Sequence, residues 1–470
     1  MPDELLTLPL AALAARYRAL TLSPVEVAQH HLARIEALEP RLNAFQIIDP
    51  AGALAMARAS EARFRAGAPL SALDGAPVTI KDNVDIAGHP TRNGSTTTPG
   101  TPAATDSPAV ARLREAGAVF LGKTTLPEFG WKGITDSRLR GVATRNPWNF
   151  AHSPGGSTGG GAAALAAGIG TLAFGNDGGG SIRIPASFTG LFGIKPNFGR
   201  VPHHPLEGIF ATVASNGPIA RSVSDAATTL SVMARPDDRD WYAPSPPPDG
   251  WLDNLRPRLA GLRLAYAPEL GGAEPDAQVR ASTEATIATL QANGAIIKNV
   301  GKIIDPPKQQ FEKFWLASFA RRMRTIPRDR WDEVDPGYVA VAEQGMKIEL
   351  EPVLAAEIAR AQLYRRFAEL FRDHDLLLTP TTPHAAPLAD TVYHTQGYDR
   401  WRDAVPYTLP FNLTGLPAAS LPCGLTADGL PVGLQVVGPK FAERAVLEAC
   451  LAIEALLGFG HARDRAMAAL

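Results

Sequence analysis

A chain of 470 residues, 45% hydrophobic and 20% charged, has ample apolar material for a core and the balance of an ordinary globular protein. Its formal net charge of -1 lacks the basic excess that a nucleic-acid or membrane-surface partner usually brings, so neither is expected. Its two cysteines, Cys423 and Cys450, belong to no CxxC or Cys/His cluster, which argues against a disulfide framework and a structural zinc.

In chain order, the acidic start, residues 1–5, has no basic region before an apolar core and does not read as an export signal. Ser23-Pro24-Val25-Glu26 reads as a helix start, with Ser23 as cap, Pro24 at the first helical position and Glu26 completing a capping box. Val25, Ala28, Leu32, Ile35 and Leu38 mark its apolar face, and Pro40 is expected to stop it. A second helix is expected over 50–66. Residues 76–80 then form a short buried-strand pattern ending at Lys81, followed by a helix over 109–116 and a strand over 118–121. The same order repeats at 162–167 and 171–174. The small-apolar run 162–175 is too short and too rich in glycine to span a bilayer, which takes about 20 apolar residues. Residues 235–257, with Ser245-Pro246-Pro247-Pro248 in their middle, read as an exposed connector. Beyond them come a strand over 262–266, a helix over 276–292, a strand over 295–300, and further strand candidates at 376–378 and 432–437.

This alternation predicts an α/β protein with one large mixed, mostly parallel sheet covered by helices on both faces. Sheet elements fall on both sides of the connector, so a single domain over 1–470 is expected. It would comprise N-terminal helices (1–70), a core (71–234), the connector (235–257) and a C-terminal part (258–470) that completes the sheet. A soluble, cytoplasmic protein is the corresponding expectation.

Two glycine-rich segments stand out, Pro154-Gly155-Gly156-Ser157-Thr158-Gly159-Gly160-Gly161 and Asn176-Asp177-Gly178-Gly179-Gly180-Ser181-Ile182-Arg183. Glycine costs roughly 0.5–1 kcal/mol to order relative to alanine, so a packed domain keeps such runs for a reason. Successive N–H groups with no side chains in the way make an anion-binding concavity. A serine closing such a run sets a hydroxyl beside those donors, which is what acyl transfer needs around one carbonyl. The serine must also lose its proton to a base. The ten histidines are scattered and mark no triad; His203 and His204 lie in a proline-flanked loop that the sequence neither ties to the site nor separates from it. A lysine serves instead where burial disfavours the ammonium, and Lys81, closing a buried strand, is the candidate. Asp177 and Arg183 have two readings, contact with substrate or an ion pair fixing the nucleophile loop. The second is favoured because buried charges generally occur in pairs.

The two glycine runs, the interval between Ser157 and Ser181, and Lys81 within Val78-Thr79-Ile80-Lys81-Asp82-Asn83 resemble the amidase signature family. Gly122-Lys123-Thr124, Arg145-Asn146-Pro147-Trp148, Gly193-Ile194-Lys195-Pro196, the segment 412–424 and Leu430-Pro431-Val432-Gly433-Leu434-Gln435 extend the likeness over nearly the whole chain. The resemblance implies the amidase signature fold and a Ser–cis-Ser–Lys relay. Ser181 would attack an amide carbonyl, Ser157, in a cis peptide, would pass the proton to neutral Lys81, and the N–H groups of Gly178, Gly179, Gly180 and Ser181 would hold the oxyanion. Thr158 and Asn176 depart from the family's usual residues but keep hydrogen-bonding side chains. No metal or organic cofactor is implied.

Gly117-Ala118-Val119-Phe120-Leu121-Gly122-Lys123-Thr124 satisfies the P-loop pattern, but a helix precedes it and a strand runs through it, the reverse of what phosphate cradling needs. Some family members are instead the glutaminase subunit of a tRNA-dependent amidotransferase. Those carry an acidic residue where this chain aligns Val405, and a basic stretch that 340–351 lacks. A stand-alone hydrolase of a small apolar or aryl amide is therefore expected, with a homodimer left open. Phe129 and Trp131 are the first candidates for its substrate pocket, followed by Phe210, Phe314, Trp315, Tyr338 and Trp401.

Overall fold

The computed structural model describes residues 2–206, 209–391 and 401–470. Its strands are, in chain order, β1 (Phe45–Ile48), β2 (Pro77–Lys81), β3 (Val119–Thr124), the short pair β4 (Asp136–Ser137) and β5 (Val142–Ala143), β6 (Leu172–Asp177), β7 (Phe192–Lys195), β8 (Ser215–Ala220), β9 (Arg263–Tyr266), β10 (Ile296–Asn299), β11 (Leu376–Pro380), β12 (Ala418–Leu425) and β13 (Pro431–Val437). Eleven of them form one sheet in the order β1-β3-β2-β6-β8-β7-β12-β13-β11-β9-β10. β2, β3, β7, β8, β11 and β13 are buried at every position, which is why they read as continuous apolar or small-residue runs rather than as alternation.

The mixed sheet and its covering helices agree with the sequence; the direction of its strands agrees only in part. Parallel ladders join β2 to β3 and β6, and β9 to β10 and β11. The other six pairings are antiparallel, so the sheet is mixed rather than mostly parallel. The physical reason lies in the connections. β8 enters between β6 and β7 against both, and β12 returns as β13 through a short turn that only an antiparallel pair permits.

The capping box at Ser23 is formed, and the helix Pro24–Leu42 runs through Pro40 to end at Asn43 in the left-handed region, two residues later than Pro40 suggested. A proline in the last turn removes one intrahelical bond but leaves room for the chain to finish that turn. The helices Pro108–Glu115, Val223–Met233, Ala277–Ala292 and Glu443–Leu457 contribute to one large apolar cluster with the sheet. A second, aromatic cluster gathers Trp131, Phe311, Trp315, Phe319 and Tyr338. No single described helix is long and apolar enough to cross a membrane. Gly117–Thr124 is largely β3, with Lys123 buried and paired to Asp82 at 2.9 Å, so the P-loop pattern is a strand and not a phosphate loop.

Candidate active site

β2 and β6 are parallel neighbours with Ile80 opposite Phe174, so both deliver their last residues to the same edge of the sheet. Ligand sites in such sheets gather outside the carboxyl ends of parallel strands. Lys81 closes β2, while Asn176 and Asp177 close β6. The loop before the helix Gly159–Ala166 brings Ser157 to this edge through a cis Gly156–Ser157 peptide. Lys81 Nζ is fully buried and lies 2.7 Å from Ser157 Oγ and 2.6 Å from Asn176 Oδ1, to which it donates. Burial lowers the Lys81 ammonium to about 7, against the pull of the Asp177 carboxylate, which favours the charged form. Lys81 can therefore rest neutral, with one N–H held by Asn176 and its lone pair free to receive the Ser157 proton.

Ser181 follows the loop 178–180 and is half-buried. Ser157 and Ser181 line one cavity of about 330 Å³ together with Asn176, Gly178 and Gly179. Thr158 N–H donates to the Ser181 carbonyl at 3.1 Å, tying the two serine segments together. Among the described residues no hydrogen bond joins Ser181 Oγ to Ser157, a link that commonly tightens only when substrate is bound.

Asp177 and Arg183 form the ion pair that the sequence favoured. Both are fully buried, and two guanidinium nitrogens of Arg183 each donate to Asp177 at 2.9 Å. Burial pushes the Asp177 carboxyl up, but Arg183 and Asn412 outweigh it and hold the group well below the usual carboxylate range. Arg183 also donates to Gln435 at 2.8 Å, to the Thr408 carbonyl at 3.1 Å and to Asn412 at 2.6 Å. Asp177 in turn accepts from the N–H groups of Gly180 at 2.7 Å and Ile182 at 3.2 Å. One expectation is corrected by this arrangement: the Gly180 N–H faces Asp177 and cannot also face an oxyanion. The N–H groups of Gly178, Gly179 and Ser181 carry no hydrogen bond among the described residues and are the donors that remain. Gly180 has φ +126°, and a Cβ there would lie 2.5 Å from Thr408 Oγ1, so only glycine fits the turn.

Phe129 lines the cavity, and so do Phe210, Phe311, Trp315, His203 and His204. Trp131 does not. It is fully buried, at 6.1 Å from the Trp315 ring and 6.3 Å from the Tyr338 ring, and is a core residue behind the wall. Phe314 is likewise buried, and Tyr338 lines a smaller neighbouring cavity of about 180 Å³. The Trp401 side chain lies outside the described residues. Asn176 as the direct partner of Lys81, and Thr408, Asn412 and Gln435 as braces of the glycine loop before Ser181, were not given these roles by the sequence, although Asn412 and Gln435 fall in segments that carry the resemblance. Among the described residues no group of three or more His, Cys, Asp or Glu side chains is arranged to hold a metal ion.

The chain matches the Amidase family profile over residues 26–447. It belongs to the amidase family. This amidase is 33% identical to an acylamidase of Rhodococcus erythropolis over 94% of each chain. It is 34% identical to a glutamyl-tRNA(Gln) amidotransferase subunit of Myxococcus xanthus (strain DK1622), over 96% of this chain and 97% of the other. Among solved structures it superposes on a bacterial aryl acylamidase of the amidase signature family with a TM-score of 0.90 and 26% identity, covering 98% of both chains. The amidase is accordingly an amide hydrolase with the amidase signature fold.

Proposed function

We propose that this amidase hydrolyses a small apolar or aryl amide through an acyl-enzyme on Ser181, with Ser157 and Lys81 as the proton relay. The observation that carries the reading is the fully buried Lys81, lowered to about 7 and 2.7 Å from a serine that shares a cavity with Ser181. Ser181 Oγ attacks the carbonyl while its proton moves to Ser157 and that of Ser157 to Lys81. The N–H groups of Gly178, Gly179 and Ser181 stabilise the oxyanion. The relay then runs backwards to protonate the departing nitrogen, and water releases the acyl group by the same route. The rings of Phe129, Phe210, Phe311 and Trp315 around the cavity favour an apolar or aromatic substrate. The acylamidase and aryl acylamidase relatives support the same class.

The second reading, the glutaminase subunit of an amidotransferase, is favoured by the Myxococcus xanthus relative. Against it, Val405, aligned with the acidic residue of those subunits, is buried in the aromatic cluster, where no carboxylate would meet an α-ammonium. A panel of chromogenic anilides, aliphatic amides, carbamates and glutamine, run on wild type and Ser181→Ala, tests both. Anilide turnover that Ser181→Ala abolishes while the fold persists is expected. Wild-type rates from that variant would refute the nucleophile, and efficient ammonia release from glutamine alone among the panel would establish the glutaminase.

A further inference from the structure

The helix Leu350–Asp373 has 24 residues, and only Ala356 and Phe367 are buried. Leu350, Leu354 and Ile358 follow one another at intervals of four along it and are 71%, 54% and 64% exposed. Residues spaced by four share a helix face, so these side chains form one apolar ridge in water. A helix that packs on its own core places such residues inward. The exposed charges are unevenly spread along the ridge, with Arg360 at 3.2 Å from Glu357 in the first half and Glu369 among the bases of the second. Exposed Glu351 and Glu357 flank its first half; Arg365 and Arg366, 78% and 69% exposed, stand in its second. Among the described residues these two arginines reach an acid only at 3.6 and 3.9 Å, both to Glu369.

From this we infer that the helix Leu350–Asp373 pairs antiparallel with the same helix of a second copy of the chain, about a twofold axis at Ile358. Glu351 and Arg365 lie seven residues to either side of Ile358, about 10.5 Å or two turns each way. A twofold axis there sets Glu351 of each copy against Arg365 of the other, and Ile358 against itself. Leu354 meets the exposed, small Ala361 across the axis, which lets the two backbones approach closely. Such an interface is isologous and closes at two copies. The helix dipole alone would also favour acids first and bases last, but it gives no reason for the exposed leucines and isoleucine between them. One helix pair covers less surface than the roughly 1,600 Å² of a typical stable interface, so a weak dimer that forms as concentration rises is expected.

The full chain supplies its own controls, because Cys423 and Cys450 are buried and free. Ile358→Cys should form a disulfide-linked dimer under mild oxidation, since the twofold axis brings that position against itself, whereas wild type should form none. By analytical ultracentrifugation, wild type should move from the 49.8 kDa monomer toward twice that mass as concentration rises. Glu351→Arg should weaken the dimer about tenfold or more, and Glu351→Arg with Arg365→Glu should restore it. All of these positions are exposed, so folding is not at stake. A wild-type chain that stays monomeric overturns the inference. So does a dimer that none of these substitutions affects, which would use another surface, or a ridge that captures only a different protein.

Discussion

Burial lowers the Lys81 ammonium to about 7, and in the proposed relay the neutral amine is the form that accepts the Ser157 proton. Below that value the ammonium dominates and the relay has no acceptor; above it the amine is free. The pH profile of kcat/KM should therefore rise through neutrality with its midpoint near 7 and level off on the alkaline side. A profile flat across that range would remove Lys81 as the base. Asn176 sets the same balance from its contact at 2.6 Å. In Asn176→Asp a carboxylate replaces a neutral carbonyl oxygen beside the nitrogen and favours the charged form. The midpoint should move upward by about 1–3 pH units, with the alkaline plateau partly retained. The sequence already offered Lys81, because a lysine ending an apolar strand is buried wherever that strand is internal to a sheet. It did not offer Asn176 as its partner. The two meet only because β2 and β6 are parallel neighbours, a fact of pairing and not of local pattern.

The loop between β6 and the helix Arg183–Phe188 has little local means of holding its shape. Three glycines supply no side chains, and the helix is six residues long. Its form is imposed by Asp177, which collects the N–H groups of Gly180 and Ile182, and by Arg183, which fixes Asp177 and reaches across to Gln435 and Asn412. In Arg183→Met, Asp177 would be left buried without its guanidinium, at a cost of about 3–5 kcal/mol. Urea unfolding should register a loss of that size with an unchanged slope, and turnover should fall with it. Arg183→Lys keeps the charge but not the planar fork, and should recover only part of each. A stability change below about 1 kcal/mol would mean that the loop is held by something else. The pairing of Asp177 with Arg183 was legible because buried charges need partners. The other half of the bracing was not, since Thr408, Asn412 and Gln435 lie more than 200 residues downstream. Trp131 failed as a pocket residue for a related reason. Proximity in sequence to Phe129 does not say which side of a wall a ring occupies, and Trp131 faces the aromatic core.

Across the whole molecule, the sheet has a seam. β1, β3, β2, β6, β8 and β7 come from before the connector, β12, β13, β11, β9 and β10 from after it, and the two sets meet where β7 pairs with β12. Strand candidates on both sides of residues 235–257 made one domain the expected arrangement, but the seam was out of reach of the sequence, which carries no register. A domain boundary falls where few contacts cross, and here many do. Three residues of β7 pair with β12, the helix Glu443–Leu457 packs on Val223–Met233, and Arg183 draws three of its acceptors from the C-terminal part. We propose that the chain folds as one cooperative unit, and cutting within the connector tests it. A fragment ending at residue 245 holds Lys81, Ser157 and Ser181, so independent halves would leave it active. With the seam broken, each fragment exposes an unpaired strand edge, which is prone to aggregate, and Arg183 in the first loses Gln435, Asn412 and the Thr408 carbonyl. Expressed alone, both fragments should be insoluble or lack cooperative unfolding, and neither should turn over an anilide. Expressed together they should reassemble, because the connector itself contributes no strand, and activity should return. An active, cooperatively folding first fragment would show that the candidate site belongs to a domain of its own.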